Sequence, residues 1–248
     1  MEDLTAYDYV IAGAGIFGAI IAERMAAKGK KVLVVEKRDH IAGNIYSYTD
    51  AETGIEVHKY GSHIFHTESD EVWEYITKFT EFNDYKHTVN TRHNGKLYPM
   101  PINLDTINLL YGTNMDAEEA EKFVAAEAAK TGITDPKNFD EKGRSLVGDK
   151  LYEAFLKNYT EKQWNTSAKN LSADILKRIP VRFSHDNRYF ITAKHQGIPK
   201  NGYTKMVEKI LDNPLIEVRT GVDFKDIEKD ISKDTKVVYC GQVDELMD

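Results

Sequence analysis

A strand, a glycine-rich turn and a helix open this chain, and their order constrains its fold more than any other feature. An apolar run at 8–12 leads into a Gly-x-Gly-x-x-Gly pattern at 13–18. A helical stretch then leads to a second apolar run, 31–35, which ends in Glu36. This order is typical of the first βαβ unit of a dinucleotide-binding Rossmann domain.

Each part of this unit has a physical role. Gly13 permits the tight turn, Gly15 has no Cβ and lets a pyrophosphate approach the backbone, and Gly18 lets the helix pack close to the strand. The helix N-terminus offers free N–H groups to the phosphates. Glu36 is predicted to accept hydrogen bonds from the adenosine ribose hydroxyls, which disfavours the 2′-phosphate of an NADP-type cofactor.

Composition sets the remaining bounds. With 248 residues the chain can form one large or two modest domains. The formal charge of −7 and the scattered lysines and arginines argue against a nucleic-acid partner. A single cysteine, Cys240, excludes an internal disulfide and fits a reducing compartment. Without a signal peptide or a membrane-length apolar run, we expect a cytoplasmic protein with no membrane partner.

The pattern along the chain predicts an α/β fold with an insertion. Residues 1–80 and 200–248 read as a Rossmann-like domain, incomplete at its C-terminal end. Residues 81–199 read as a mainly helical substrate domain, with a hairpin near 88–98 around an Asn-Gly turn. Part of a β-sheet domain is expected in addition to these two.

Local signals predict individual elements. Ser69 or Asp70 would cap a helix, and Asp116 with Glu119 forms a capping-box pattern. Thr204 or a neighbour would cap a helix over 203–211. Further elements are predicted at 146–158 for a helix, and at 216–220 and 237–241 for strands.

Three histidines, His58, His63 and His66, crowd nine residues. A metal site ranks last, because no cysteine and no His-Glu-x-x-His pattern accompanies them. The interpretation that Gly61-Ser62-His63 lines the reactive end of a cofactor ranks first, and an ordinary loop with hydrogen-bonded histidines ranks second. We therefore predict no metal.

Aromatic side chains near residue 160 form a second candidate site. Tyr159 and Trp164 stand among polar residues and could stack on a nucleobase. Phe155 shares a predicted helix face with Tyr159 at i,i+4, although by itself it reads as a core residue. Arg178 and Tyr189 are candidate phosphate or sugar contacts, because a guanidinium matches diphosphate oxygens.

Neither a Gly-x-Ser-x-Gly nucleophile nor a Walker loop is present. We therefore expect any catalytic power to come from the cofactor, with the protein supplying position and electrostatics.

Several motifs together resemble the bacterial, FAD-dependent UDP-galactopyranose mutases. His-Lys-Tyr-Gly at 58–61 and Tyr-Thr-Glu-Lys-Gln-Trp at 159–164 are the specific ones. The full set comprises 13–19, 36–38, 43–44, 58–67, 159–164, 178–183 and 186–190.

The resemblance implies a flavoenzyme isomerase that interconverts UDP-galactopyranose and UDP-galactofuranose, for cell-wall polysaccharide synthesis. It implies a non-covalent FAD that must be reduced, whose N5 attacks the anomeric carbon to give a glycosyl adduct. The implied FAD contacts are Gly13, Gly15, Phe17, Gly18, Glu36, Lys37, Gly43, Asn44, His63, Ile64, Val222 and Asp223. The implied substrate contacts are His87, Phe155, Tyr159, Trp164, Arg178 and Tyr189.

Among these, His63 and Arg178 are the candidate catalytic residues, and a homodimer is a further expectation. Ala42 stands where the family usually has glycine. The likeness runs to 241–244 and stops before the family's C-terminal part, so residues 1–248 alone are expected to lack mutase activity. An amine-oxidase-type flavin oxidoreductase and an inactive dinucleotide-binding fragment are the alternatives.

Overall fold

The computed structural model describes residues 4–178 and 181–247, without the side chains of Lys177, Arg178 and Met247. The chain forms two compact units. One comprises Met1–Tyr85 and Thr192–Asp248, and the other comprises Lys86–Ile191. Within the described residues, no helix is long and apolar enough to cross a membrane.

The strands are short. They are β1 Tyr9–Ala12, β2 Val32–Glu36, β3 Ser47–Thr49, β4 Glu56–His58, β5 Phe65–Thr67, β6 Val89–His93, β7 Lys96–Met100, β8 His195–Gly197, β9 Ile216–Thr220 and β10 Lys236–Tyr239.

The α-helices alternate with these strands and fill the middle of the chain. They are α1 Ile16–Ala26, α2 Asp70–Ile76, α3 Leu104–Tyr111, α4 Ala117–Ala129, α5 Phe139–Leu151, α6 Lys157–Trp164, α7 Gly202–Leu211, α8 Phe224–Ile227 and α9 Val243–Met247. A π-helical turn, Tyr152–Leu156, joins α5 to α6.

The first unit contains a parallel sheet in the order β10-β1-β2-β9, which confirms the predicted α/β class. All of β2 and most of β1 are buried, as expected for a parallel sheet covered on both faces. Ala12 pairs with Val35, so the carboxyl ends of β1 and β2 meet at one edge of the sheet. Rossmann domains bind their ligands at this edge.

Helix α7 packs its apolar face into the same core. Tyr203, Met206, Val207 and Ile210 follow helical spacing and are buried. The predicted cap at Thr204 is wrong, because the helix begins at Gly202. The Thr204 hydroxyl instead donates to the Ser47 carbonyl at 2.7 Å and ties α7 to β3.

The second unit contains the predicted hairpin. Strands β6 and β7 pair from Val89↔Met100 to His93↔Lys96. Asn94 and Gly95 have φ of 47° and 79°, as a tight turn between twisted strands requires. The predicted capping box also forms, since Glu119 N–H donates to Asp116 and Asp116 N–H donates to Glu119.

The helix predicted over 146–158 is wrong in its bounds. Helix α5 begins earlier, at Phe139, where Asn138 caps it by accepting from Glu141 N–H at 3.0 Å. Gly148 breaks α5 with φ 76° and ψ 167°, and a Cβ there would lie 2.9 Å from Glu127 Cβ. Close packing of α5 on α4 therefore requires this break, which a local helix pattern cannot reveal.

Candidate functional site

A cleft of about 760 Å³ opens at the carboxyl ends of β1 and β2. Pockets of this size are typical of small-molecule and cofactor sites. The predicted cofactor residues that line it are Gly13, Gly15, Phe17, Gly18, Glu36, Lys37, Gly43, Asn44, Val222 and Asp223. We call this space the β1–β2 cleft.

The glycine turn after β1 is packed as tightly as the sequence predicts. Gly13 has φ +109°, and a Cβ at Gly18 would stand 2.1 Å from the Gly13 carbonyl oxygen. A Cβ at Gly15, by contrast, would meet no protein atom closer than the Gly43 Cα at 3.9 Å. Gly18 thus serves the packing of α1 on β1, whereas Gly15 leaves room inside the β1–β2 cleft.

The N-terminus of α1 has no side-chain partner. Its cap residue is Gly15, which makes no side-chain hydrogen bond, and the first turn contains no acidic residue. The free N–H groups of this turn therefore remain available, and the helix dipole adds a partial positive charge. Such an N-terminus is suited to bind phosphate.

Glu36 ends β2 with a buried carboxylate. One oxygen accepts from Ala14 N–H at 2.9 Å and the other from Arg38 N–H at 3.0 Å. These bonds fix the orientation of the carboxylate, and each oxygen retains accepting capacity. Hydroxyl groups of a ribose are the donors that such a carboxylate would bind.

The opposite wall comes from the segment after β9. Val222 N–H donates to the Glu36 carbonyl at 3.0 Å, which attaches this wall to β2. Asp223 caps α8 by accepting from Lys225 N–H at 3.0 Å.

Sequence reasoning missed several lining residues, among them Arg38, Cys240 and Glu245. The Arg38 guanidinium lies over the Tyr60 ring, 4.7 Å from its centroid, and donates to Asn44 at 3.0 Å. Lys37 pairs with Glu245 at 3.4 Å. Arg38 could have been found from its position two residues after Glu36, but the approach of residues 240–245 depends on the pairing of β10 with β1.

His63 and Ile64 are not among the residues that line the β1–β2 cleft. The His63 N–H donates to His58 Nδ1 at 3.0 Å, and its ring nitrogen Nδ1 contacts the Gly61 carbonyl at 2.8 Å. Within the described residues, no group of three histidine, cysteine or acidic side chains is arranged to hold a metal ion.

The second unit brings together part of the predicted substrate set. Tyr189 N–H donates to the His87 carbonyl at 3.0 Å, and their rings meet at 62° with centroids 5.2 Å apart. The Arg182 guanidinium donates to the carbonyls of Arg188 at 2.6 Å and Tyr189 at 3.4 Å, which shapes this segment.

The aromatic side chains around the π-helical turn fall into two groups, one buried and one exposed. Phe155 is 7% exposed and packs against Tyr98, with centroids 5.0 Å apart. Tyr159 and Trp164 on α6 are 65% and 55% exposed. Phe155 is thus a core residue here, whereas the other two rings are free for a ligand. The Arg178 side chain lies outside the described residues.

Comparison with known proteins bears on this arrangement. Residues 11–79 match the model of NAD(P)-binding Rossmann-like domains, and residues 154–248 match the model of UDP-galactopyranose mutase. A probable UDP-galactopyranose mutase of Klebsiella pneumoniae is 40% identical over 235 residues, 95% of this chain and 60% of that protein. Over most of its length, the chain is similar to UDP-galactopyranose mutases.

Two further relatives match a similar share of the chain and of their own length. A dTDP-fucopyranose mutase of Escherichia coli is 39% identical over 96% of the chain and 64% of its own length. A UDP-galactopyranose mutase of Mycoplasma pneumoniae is 32% identical over 97% of the chain and 63% of its own length. The chain thus spans about three fifths of the length of the curated relatives it matches.

Solved structures share the fold of this chain. The crystal structure of a reduced UDP-galactopyranose mutase matches with a TM-score of 0.65 at 17% identity, over 86% of this chain and 48% of that one. An oxidoreductase from Methanosarcina mazei matches with a TM-score of 0.52 at 13% identity, over 86% of this chain and 51% of that one.

Proposed function

We propose that this chain takes part in the interconversion of UDP-galactopyranose and UDP-galactofuranose, with FAD bound in the β1–β2 cleft. One observation carries the proposal: the segment matched by the mutase model, 154–248, contains the exposed rings of Tyr159, Trp164 and Tyr189. Exposed aromatic side chains of this kind suit a nucleotide sugar, because they can stack on the base.

The β1–β2 cleft fits a dinucleotide cofactor on three counts. The uncapped N-terminus of α1 would bind the pyrophosphate, and the space in front of Gly15 would admit it. The Glu36 carboxylate would accept the ribose hydroxyls. Reduced FAD bound here would supply a nucleophilic nitrogen for the anomeric carbon of the sugar.

The residues of the second unit would hold the substrate. Tyr159 would contact the uridine, with Phe155 as buried support, and Trp164 would line the substrate cleft on the diphosphate and sugar side. His87 and Tyr189 would contact the sugar and diphosphate side, and Arg178 would neutralise the diphosphate charge as the anomeric C–O bond breaks. His63 would contact the cofactor.

A reconstitution experiment tests the function. The 248-residue chain is loaded with FAD, and UDP-sugar conversion is measured by chromatography before and after reduction with dithionite. Conversion by the reduced sample alone would support the proposal and would overturn the expectation that residues 1–248 lack mutase activity by themselves, whereas binding of UDP without conversion would agree with both. Substrate oxidation with loss of flavin colour, and no binding of UDP, would support an amine-oxidase-type enzyme instead. The relatives that match over most of the chain are named as mutases, which does not favour that alternative.

A second candidate substrate is a dTDP-sugar, because one relative at 39% identity is named a dTDP-fucopyranose mutase. Calorimetric titration of the FAD-loaded chain with UDP and with dTDP separates the two. An affinity at least tenfold higher for one nucleotide, about 1.4 kcal/mol, assigns the base. Binding of neither nucleotide would leave only a dinucleotide-binding protein.

A further inference from the structure

Two ring side chains hold the backbone of His63. The His63 N–H donates to His58 Nδ1 at 3.0 Å, and the Tyr203 hydroxyl donates to the His63 carbonyl at 3.2 Å. The His58 and Tyr203 rings meet edge to face, with centroids 5.4 Å apart and planes at 76°. Both polar groups of one loop residue are therefore bonded by side chains from β4 and α7.

The bond to His58 fixes the protonation of its ring. A nitrogen that accepts a hydrogen bond carries no proton, so Nδ1 is bare and the neutral ring has its proton on Nε2. Protonation of Nδ1 would turn this acceptor into a donor facing the His63 N–H. The bond would then be lost and two donors would face each other.

The surroundings of His58 favour its neutral form. Burial, and then the neighbouring His63, lower the pKa of His58 from its ordinary value of 6.5, while Glu56 on the same strand acts in the opposite direction. Tyr203 faces His58 from α7, and burial raises the pKa of its hydroxyl to about 12, so it stays neutral. Lys59 is the adjacent cation in the chain.

We propose that neutral His58, together with Tyr203, positions the loop 61–64 for the contact of His63 with the cofactor, and that acidification releases this loop. His58 is a positioning residue in this scheme, since it acts through the backbone of His63. The link to a cofactor rests on the proposed function, whereas the hold on the loop is a property of the cofactor-free chain.

Amide hydrogen exchange of His63, measured by NMR on the cofactor-free chain, tests whether His58 fixes the His63 backbone. Rates are divided by the intrinsic rate at each pH. In His58→Asn the side-chain oxygen can replace Nδ1 as acceptor, whereas in His58→Gln the acceptor is displaced by one bond. At pH 7.5 we expect the wild type and His58→Asn to be protected, and His58→Gln to exchange about tenfold faster.

The pH dependence separates this role from general stability. Below pH 6 we expect the wild-type amide to lose protection about tenfold while His58→Asn stays flat, with unchanged exchange in β1 of both proteins. The proposed role of His58 would be overturned by either of two results. One is equal protection of the His63 amide in the wild type and His58→Gln at pH 7.5, and the other is wild-type protection that does not change with pH.

Flavin binding tests the link to the cofactor. Fluorescence titration with FAD at pH 7.5 and 5.5 should show at least threefold weaker binding by the wild type at the lower pH, and no such change in His58→Asn. Equal pH dependence in both proteins would overturn the link. If the wild type binds no FAD at either pH, the proposed function fails, while the exchange experiment still decides the hold.

Discussion

Gly43 faces Gly15 across the floor of the β1–β2 cleft, so that a Cβ added to Gly43 would stand 3.0 Å from the Gly15 Cα. Two chain segments separated in sequence therefore approach each other through backbone alone. At Gly15 and Gly43 the floor of the cleft carries no side chain, so a pyrophosphate could lie directly on main-chain atoms there.

Substitution of Gly15 by Val should abolish retention of FAD without unfolding the chain. The Cβ would stand at ordinary contact distance, 3.9 Å, from the Gly43 Cα, and the side chain would occupy the space that the pyrophosphate of the cofactor needs. We expect at least a tenfold loss of FAD affinity, about 1.4 kcal/mol, with a melting temperature within a few degrees of the wild type.

Gly18→Val is the matched control for that experiment. A Cβ at this position would clash with the Gly13 carbonyl oxygen at 2.1 Å, so the fold itself should be destabilised by several kcal/mol. A Gly15→Val protein that remains yellow with one flavin per chain would contradict the assignment of this turn.

Replacement of Tyr159 or Trp164 by Ala should weaken UDP binding and leave the flavin content unchanged. Loss of one base–aromatic stack costs about 1–3 kcal/mol, and both rings are already exposed, so stability should hardly change. Leu146→Ala, an exposed apolar residue on α5, is the control. Calorimetry that finds all three variants equal to the wild type would assign the two rings no ligand.

Cys240 provides a reporter for occupancy of the β1–β2 cleft, because it lines this space and is the only cysteine in the sequence. Burial, and then the charge of Glu36, raise the pKa of its thiol. Since the thiolate is the reactive form, alkylation at pH 7 should be slower than that of an exposed cysteine, and it should accelerate steadily as the pH rises. Saturating FAD should slow it further at every pH, and an unchanged rate would place the cofactor elsewhere.

Ala42 has φ +70° and a fully buried side chain, a combination that tolerates little change. Ala42→Gly removes the strain of the left-handed backbone conformation but also removes a buried methyl group. The unfolding free energy should therefore stay within about 1 kcal/mol of the wild type. Ala42→Val adds a β-branched side chain there and should cost more than about 2 kcal/mol. Urea denaturation measures both, and equal stability of the two variants would argue against this backbone conformation.

Asp140 should make the stability of the second unit depend on pH. Burial raises its pKa, but hydrogen bonds from Arg144, at 3.0 Å from Nε, outweigh burial, and the pKa is lowered overall. The carboxylate therefore stabilises the folded state above the unfolded pKa of about 3.9 and loses this effect as the pH falls below it.

Asp140→Asn tests this dependence by thermal unfolding between pH 7 and pH 3. The variant should be less stable than the wild type by about 1–3 kcal/mol at pH 7, and the difference should shrink as the pH falls below 4. A constant difference over the whole range would exclude a role for the charge.

Local patterns could predict which residues lie together at the β1–β2 cleft, for a physical reason. Gly13, Gly15 and Gly18 lie within one short segment, and Glu36 follows on the adjacent strand, so spacing alone places them together. The same holds for the capping box and for the Asn-Gly hairpin, whose geometry depends on a few consecutive residues.

Contacts distant in sequence could not be predicted in this way. The start of α7 depends on Ser47, whose hydroxyl accepts from the Tyr203 N–H at 2.9 Å, and no local signal announces this bond. The hold of His58 and Tyr203 on His63 likewise joins β4 to α7. The break at Gly148 reflects the close approach of α4, which spacing in the sequence does not encode.

The π-helical turn at Tyr152–Leu156 immediately precedes α6, the helix that carries Tyr159 and Trp164. A π turn accommodates one residue more than an α turn, and one residue corresponds to about 100° of rotation about a helix axis. Phe155 lies within this turn and is buried, whereas Tyr159, four positions later, is exposed. A single insertion or deletion in this turn would therefore rotate α6 about its axis and redirect the two exposed rings, without replacing either side chain.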